Sequence, residues 1–228
     1  MFTIAEALLL LATDDDKGTQ VSTADSMEYG FTGAILSELT LMERIELQDE
    51  KVVVIDRTPT GVPYFETVLD EIENAKKPEK IEYWMDRLPF KMHNIKKEII
   101  QSLVEKGILK EESKKILFVF NQKMHPEADG RVEQEIRSRL QRIVFDNETP
   151  DPLAGILLNL IKICNLTAEV FGEEKKETAE KRIEKIAAES EYDVAINKSI
   201  EQMEAAIMIA TTTAISMTVL NNTMPPNN

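Results

Sequence analysis

The chain has 228 residues, 43% of them hydrophobic, with 41 acidic against 27 basic side chains and a formal net charge of −14. Such a length can bury a sizeable core, while the acidity opposes nucleic acid and anionic membranes at long range, so contact with either requires a local basic patch. A single cysteine, Cys164, excludes an intrachain disulfide framework and fits a reducing, cytoplasmic compartment.

In chain order, Ile4–Leu11 reads as a short helix with Thr3 and Glu6 spaced as a capping box. Its apolar run lacks a basic start and leads into Asp14, Asp15 and Asp16, unlike a secretory leader. Asp16–Gly18 is a turn, and the acidic run lacks the ligand spacing of a calcium loop. Gly30 and Gly33 open a helix to about Met42, and Glu38 within it reads as half of a structural ion pair. Arg44–Leu47 and Val52–Ile55 are strands joined by the polar turn Gln48–Lys51. Pro59, Thr60 and Gly61 break the chain before helices over Pro63–Asn74 and Glu79–Leu88. A helix over Ile95–Lys106 is stopped by Gly107. A short strand at Ile108–Leu109, a turn at Lys110–Lys114 and a strand over Lys115–Phe120 follow.

The order of helix, break, short strand, charged turn and β-branched strand thus occurs twice, which is the sequence form of a winged-helix-like unit. Glu133–Val144 is amphipathic, and Asp151 is placed to cap an apolar helix over Leu153–Cys164, in which Cys164 reads as a small buried hydrophobe. Gly172–Lys176 is a loop, and Thr178–Glu189 turns Ile183, Ile186 and Ala187 to one buried face. Ile196–Leu220 reads as a long core helix; its apolar part, Ala205–Leu220, carries several threonines and falls short of the roughly 20 residues a bilayer needs. Asn221–Asn228 is expected to be a mobile tail. We therefore expect a mainly α chain, one domain over residues 1–220, with small β-hairpins and no transmembrane helix.

Catalytic chemistry is thin. His93 and His125 are the only histidines and have no ligand spacing, so no metal or cofactor is expected. No phosphate-binding loop, dinucleotide fingerprint or nucleophile elbow is present. An enzyme is not expected. Charge is more informative. Between Lys91 and Arg142 twelve Lys and Arg face eight Asp and Glu, a balance of about +4 that leaves about −18 elsewhere. Lys91, His93, Lys96 and Lys97 fall before and on the expected first turn of a helix, where cations and free amides can cradle a phosphate. Leu117, Phe118, Val119 and Phe120 follow one another in the second hairpin. One face of that strand can pack on the core, and the other suits an oligomer contact or a shallow membrane insertion.

Five segments then carry a resemblance: FTIAEALLLLATDDDKGT at the start, YGFTGAILSELTLMERIEL over Tyr29–Leu47, Pro59-Thr60-Gly61 with Leu69-Asp70-Glu71, LVEKGIL over Leu103–Leu109, and DPLAGILLNL over Asp151–Leu160. In this order they resemble the Golgi phosphoprotein 3 family, in the short form typical of prokaryotes. The resemblance implies a single domain with a central apolar helix bundle ringed by amphipathic helices. It implies a peripheral membrane protein that binds phosphatidylinositol 4-phosphate, takes a protein client and forms homo-oligomers through the hairpin placed at about Ile116–Pro126. The family's headgroup-binding positions fall at Thr23, Thr32, His93 and Lys96, of which Lys96 alone keeps a full positive charge. Lys91 and Lys97 support it as a basic patch. The substitutions leave the choice of anionic lipid open. The alternatives are a winged-helix nucleic-acid binder, disfavoured because Phe31–Met42 holds no basic residue, and a purely protein-interaction domain.

Overall fold

A computed structural model describes residues 2–13, 24–109, 112–115, 121–124 and 130–189, with isolated helical positions at 202, 205, 208 and 209. The fold is mostly helical, as expected. Helix α1 (Ile4–Leu11) is buried along its whole length. Its capping box forms: the Glu6 amide donates to Thr3 Oγ1 and the Thr3 amide to Glu6 Oε2, each at 3.0 Å. This satisfies two amides that would otherwise be buried without partners. Helix α2 (Ala24–Leu41) and helix α7 (Pro152–Ile163) pack on α1 and on each other, and these three apolar helices form the centre. Asp151 caps α7 by accepting the Ala154 amide at 2.8 Å, with Pro152 at the first helical position, where its missing N–H costs nothing.

Two groups of elements flank this centre. On one side lie α6 (Arg131–Phe145), α8 (Thr167–Phe171) and α9 (Lys176–Glu189), all in mutual contact. On the other side lie α3 (Pro63–Glu73), α4 (Ile81–Arg87), a 3-10 turn (Leu88–Lys91) and α5 (Met92–Glu105). A small antiparallel sheet joins them, in which β1 (Ile45–Gln48) pairs with β2 (Lys51–Val54), and β2 with β3 (Glu79–Lys80). Asp49 and Glu50 turn the first hairpin with φ of 49° and 64°, the paired left-handed conformation that matches strand twist. A second hairpin pairs β4 (Glu112–Lys115) with β5 (Asn121–Met124). The buried apolar residues from α1 to α9 form one continuous cluster, with Trp84, Tyr64, Phe31 and Phe65 among its largest fully enclosed side chains.

Several boundaries differ from expectation. Helix α2 starts at Ala24, so Gly30 lies inside it rather than at its opening. A Cβ at Gly30 would stand 2.5 Å from Cys164 Sγ, so glycine here permits close packing of α2 on the end of α7. Glu79 and Lys80 are a strand, and the helix expected from Glu79 begins at Ile81. Lys115, the start of the strand expected to reach Phe120, ends β4, which also takes in residues 112–114 of the expected turn; residues 116–120 lie outside the described residues. Helix α8 was not foreseen. Ala187 is exposed, and Ala179 joins Ile183 and Ile186 on the buried face of α9. Gly107 does end α5: at φ 72° it lets the Ile108 amide turn back to the Leu103 carbonyl at 2.9 Å. The expected helix over Ile196–Leu220, apart from the isolated positions, and the tail lie outside the described residues.

Candidate functional site

Helix α5 has two contrasting sides. Its far end closes a buried polar cluster beneath α1. Ser102 Oγ donates to Glu6 Oε1 at 2.7 Å, and Lys106 Nζ reaches both Glu6 oxygens at 2.7 Å. Thr3 Oγ1 shares a 2.7 Å hydrogen bond with the Tyr64 hydroxyl, and the Ile4 amide donates to Glu38 Oε2 at 2.7 Å. Glu38 is thus held by a backbone amide of α1, correcting the ion pair expected for it. Burial, the largest cause, and the nearby Glu6 carboxylate push the Glu38 carboxyl up to about 7, against the lowering effects of the Ile4 amide and Lys106. Burial likewise drives the Tyr64 hydroxyl upward. These groups satisfy each other within the core and pin α1 to α2, α3 and α5.

The opposite end of α5 carries the basic residues. The helix begins at Met92, three residues before the expected start, and follows the 3-10 turn without a side-chain cap. Lys96 and Lys97 therefore lie in its second turn, away from the free amides of the first. Lys91, at the end of the 3-10 turn, pairs with Glu71 at 3.0 Å, and Arg87 stands 3.7 Å from the other oxygen of the same carboxylate. Lys96 is half-buried, which lowers its ammonium pKa against the pull of Glu28 on α2. Lys97 is exposed, with no ion pair among the described residues. It borders an open groove of about 950 Å³ shared with Gly61, Pro63, Gln101 and Lys106.

The expected site residues do not all converge. Thr32 is fully buried in α2, where its hydroxyl donates to the Glu28 carbonyl at 2.9 Å, so its side chain presents nothing to solvent. Glu28 relates Thr32 to Lys96: its carbonyl accepts the Thr32 hydroxyl, and its carboxylate acts electrostatically on Lys96. His93 lies on the first turn of α5, but its side chain, like Thr23 and Leu117, Phe118, Val119 and Phe120, lies outside the described residues. Sequence reasoning missed Glu71 and Arg87, which organise the charge, and Phe90, which is 88% exposed beside Lys91. The Leu69-Asp70-Glu71 motif held the signal. Leu69 is in the core, Asp70 meets Arg57 at 2.5 Å, and Glu71 bridges to the α4–α5 corner.

Among the described residues no group of His, Cys, Asp or Glu is arranged to hold a metal ion, and no helix is long and apolar enough to cross a membrane. A family model described as Golgi phosphoprotein 3 matches residues 4–203 of the chain. Vacuolar protein sorting-associated protein 74 of Eremothecium gossypii is 26% identical to it over 241 aligned positions, covering 87% of this chain and 71% of that protein.

Proposed function

The chain belongs to the Golgi phosphoprotein 3 family, and from that premise we propose that it is a non-enzymatic, cytoplasmic adaptor that binds membranes peripherally through the α4–α5 corner. The ligand is an anionic lipid headgroup, with phosphatidylinositol 4-phosphate as the family's candidate. The observation that carries the reading is Lys97, exposed and without an ion pair among the described residues, two turns along the chain from Lys91 in an otherwise acidic protein. Lys96 is family-equivalent but half-buried, and it contributes by setting charge behind this surface. Thr23 and His93 complete the family's headgroup positions, and residues 1–220 act as one unit. A protein client and homo-oligomerisation through Leu117–Phe120 belong to the same proposal.

Each basic residue near an anionic surface contributes about 1 kcal/mol. Lys91, Lys96 and Lys97 therefore support weak, salt-sensitive binding that assembly into oligomers would multiply. The test is liposome co-flotation in about 0.1 M salt, where exposed charges are screened beyond roughly 10 Å. Vesicles of phosphatidylcholine alone, with phosphatidylserine, or with phosphatidylinositol 4-phosphate are compared, using the native chain and Lys91→Glu/Lys97→Glu. Flotation restricted to phosphoinositide vesicles and lost in the variant supports the specific reading. Equal flotation with both anionic vesicles reduces it to a general basic surface. No flotation refutes lipid binding.

A further inference from the structure

Phe90 stands out on the basic surface. It is 88% exposed, while its neighbours Leu88 and Met92 are 0% and 1% exposed. These two anchors, with Pro89 at the start of the 3-10 turn, fix the corner between α4 and α5 and hold the phenyl ring outward. A ring presented by a pinned turn loses little conformational freedom when it binds. The surroundings identify what it meets. From Phe90 along α5, helical spacing places Asn94, Lys97 and Gln101 on one row; all are exposed, and none is acidic. Lys91 follows Phe90, and Arg87, one turn before it, reaches the same Glu71 carboxylate as Lys91, leaving that group one positive charge in excess. Tyr83, 38% exposed, sits one turn before Arg87, whose guanidinium lies 6.0 Å from its ring. An exposed ring with cations near it in the chain, one of them lying over a part-exposed tyrosine ring, matches the boundary between acyl chains and headgroups.

We propose that Phe90 enters the outer acyl layer of an anionic bilayer while Lys91 and Lys97 meet headgroup phosphates. This rests on the peripheral-membrane reading and adds to it an apolar contact that no family-equivalent headgroup position supplies. Burying a phenylalanine ring corresponds to roughly a 10- to 100-fold gain in affinity, so Phe90→Asp weakens vesicle binding by at least that factor. The exposed site leaves folding intact, which circular dichroism and the unfolding midpoint verify.

The deciding measurement uses Phe90→Trp, because the chain's one tryptophan, Trp84, is fully buried and serves as an internal control. Vesicles of phosphatidylcholine, phosphatidylserine and phosphatidylinositol 4-phosphate, carrying bromine on the acyl chains, are added, and emission is compared with native protein. Quenching and a blue shift in the variant alone support the insertion. A variant that floats with these vesicles but shows neither overturns the insertion while leaving peripheral binding intact. Absence of flotation by native protein overturns both. A Phe90→Asp protein that floats as well as native protein yet changes its sedimentation identifies the ring as a protein contact and overturns the insertion.

Discussion

Replacing Glu38 by glutamine tests the buried polar cluster. The folded carboxyl titrates at about 7 against an ordinary value of 4.5, raised mainly by burial and further by Glu6 across the cluster. A difference of this size corresponds to roughly 3 kcal/mol. Because the folded group holds its proton more tightly than the unfolded one, its contribution is complete below about pH 4.5. It is lost as pH rises through about 7. Glutamine keeps an oxygen for the Ile4 amide and does not titrate. The stability of native protein minus that of Glu38→Gln should therefore fall by about 3 kcal/mol from pH 4.5 to 8. Urea unfolding followed by Trp84 fluorescence at each pH gives the difference. Asp56, Glu66 and Asp151, whose carboxyls are held below their usual range, contribute with the opposite sign at lower pH and cancel between the two proteins. A difference that stays flat, or rises with pH, would refute the account of a desolvated carboxyl.

Further outcomes follow from the packing. Lys106→Met should destabilise by about 2–3 kcal/mol, read from the urea midpoint. That is less than the 3–5 typical of an enclosed pair, because Lys106 is 36% exposed while Glu6 is fully buried. Gly30→Ala should cost about 1–3 kcal/mol through crowding, exceeding the ~1 kcal/mol of helix propensity that alanine adds; Cys164→Ala in the same chain should recover part of the loss by removing the nearest atom. Asp151→Ala should cost about 1 kcal/mol for the lost cap of α7, and Asp151→Asn much less. Cys164, enclosed with its thiol pushed up to about 12, should resist iodoacetamide in native protein and react at the rate of unfolding in urea.

The legible parts of the fold were those in which two local signals coincided. The Thr3/Glu6 capping box, the Asp151 cap before an apolar run and Gly107 after a periodic one each join a hydrophobic pattern to a backbone requirement, and each appears as read. Boundaries failed where the pattern was single. Ala24–Tyr29 is too polar to announce a helix, and the two glycines at 30 and 33 looked like its opening. Gly30 is there because α7 approaches α2 closely, a tertiary reason invisible to propensity. Met92 begins α5 without a cap, so the periodic pattern in the sequence announces the helix only at Ile95.

The same distinction explains the site. Lys91, Lys96 and Lys97 were legible as charge, but availability is a property of three-dimensional pairing. Glu71, twenty residues earlier in the chain, takes Lys91 and Arg87, while Lys96 is drawn into the space between α5 and α2. Thr32 is a headgroup position that the family resemblance implies, yet its hydroxyl is spent on a carbonyl of its own helix in the core. A count of basic residues therefore overstates this surface. Binding that depended on charge alone would be weak and would fade with salt. An exposed ring on a pinned turn contributes an apolar term that salt does not screen. The salt dependence of vesicle binding separates the two: with Phe90 present it should flatten to a residual affinity at high salt, and in Phe90→Asp it should fall away entirely.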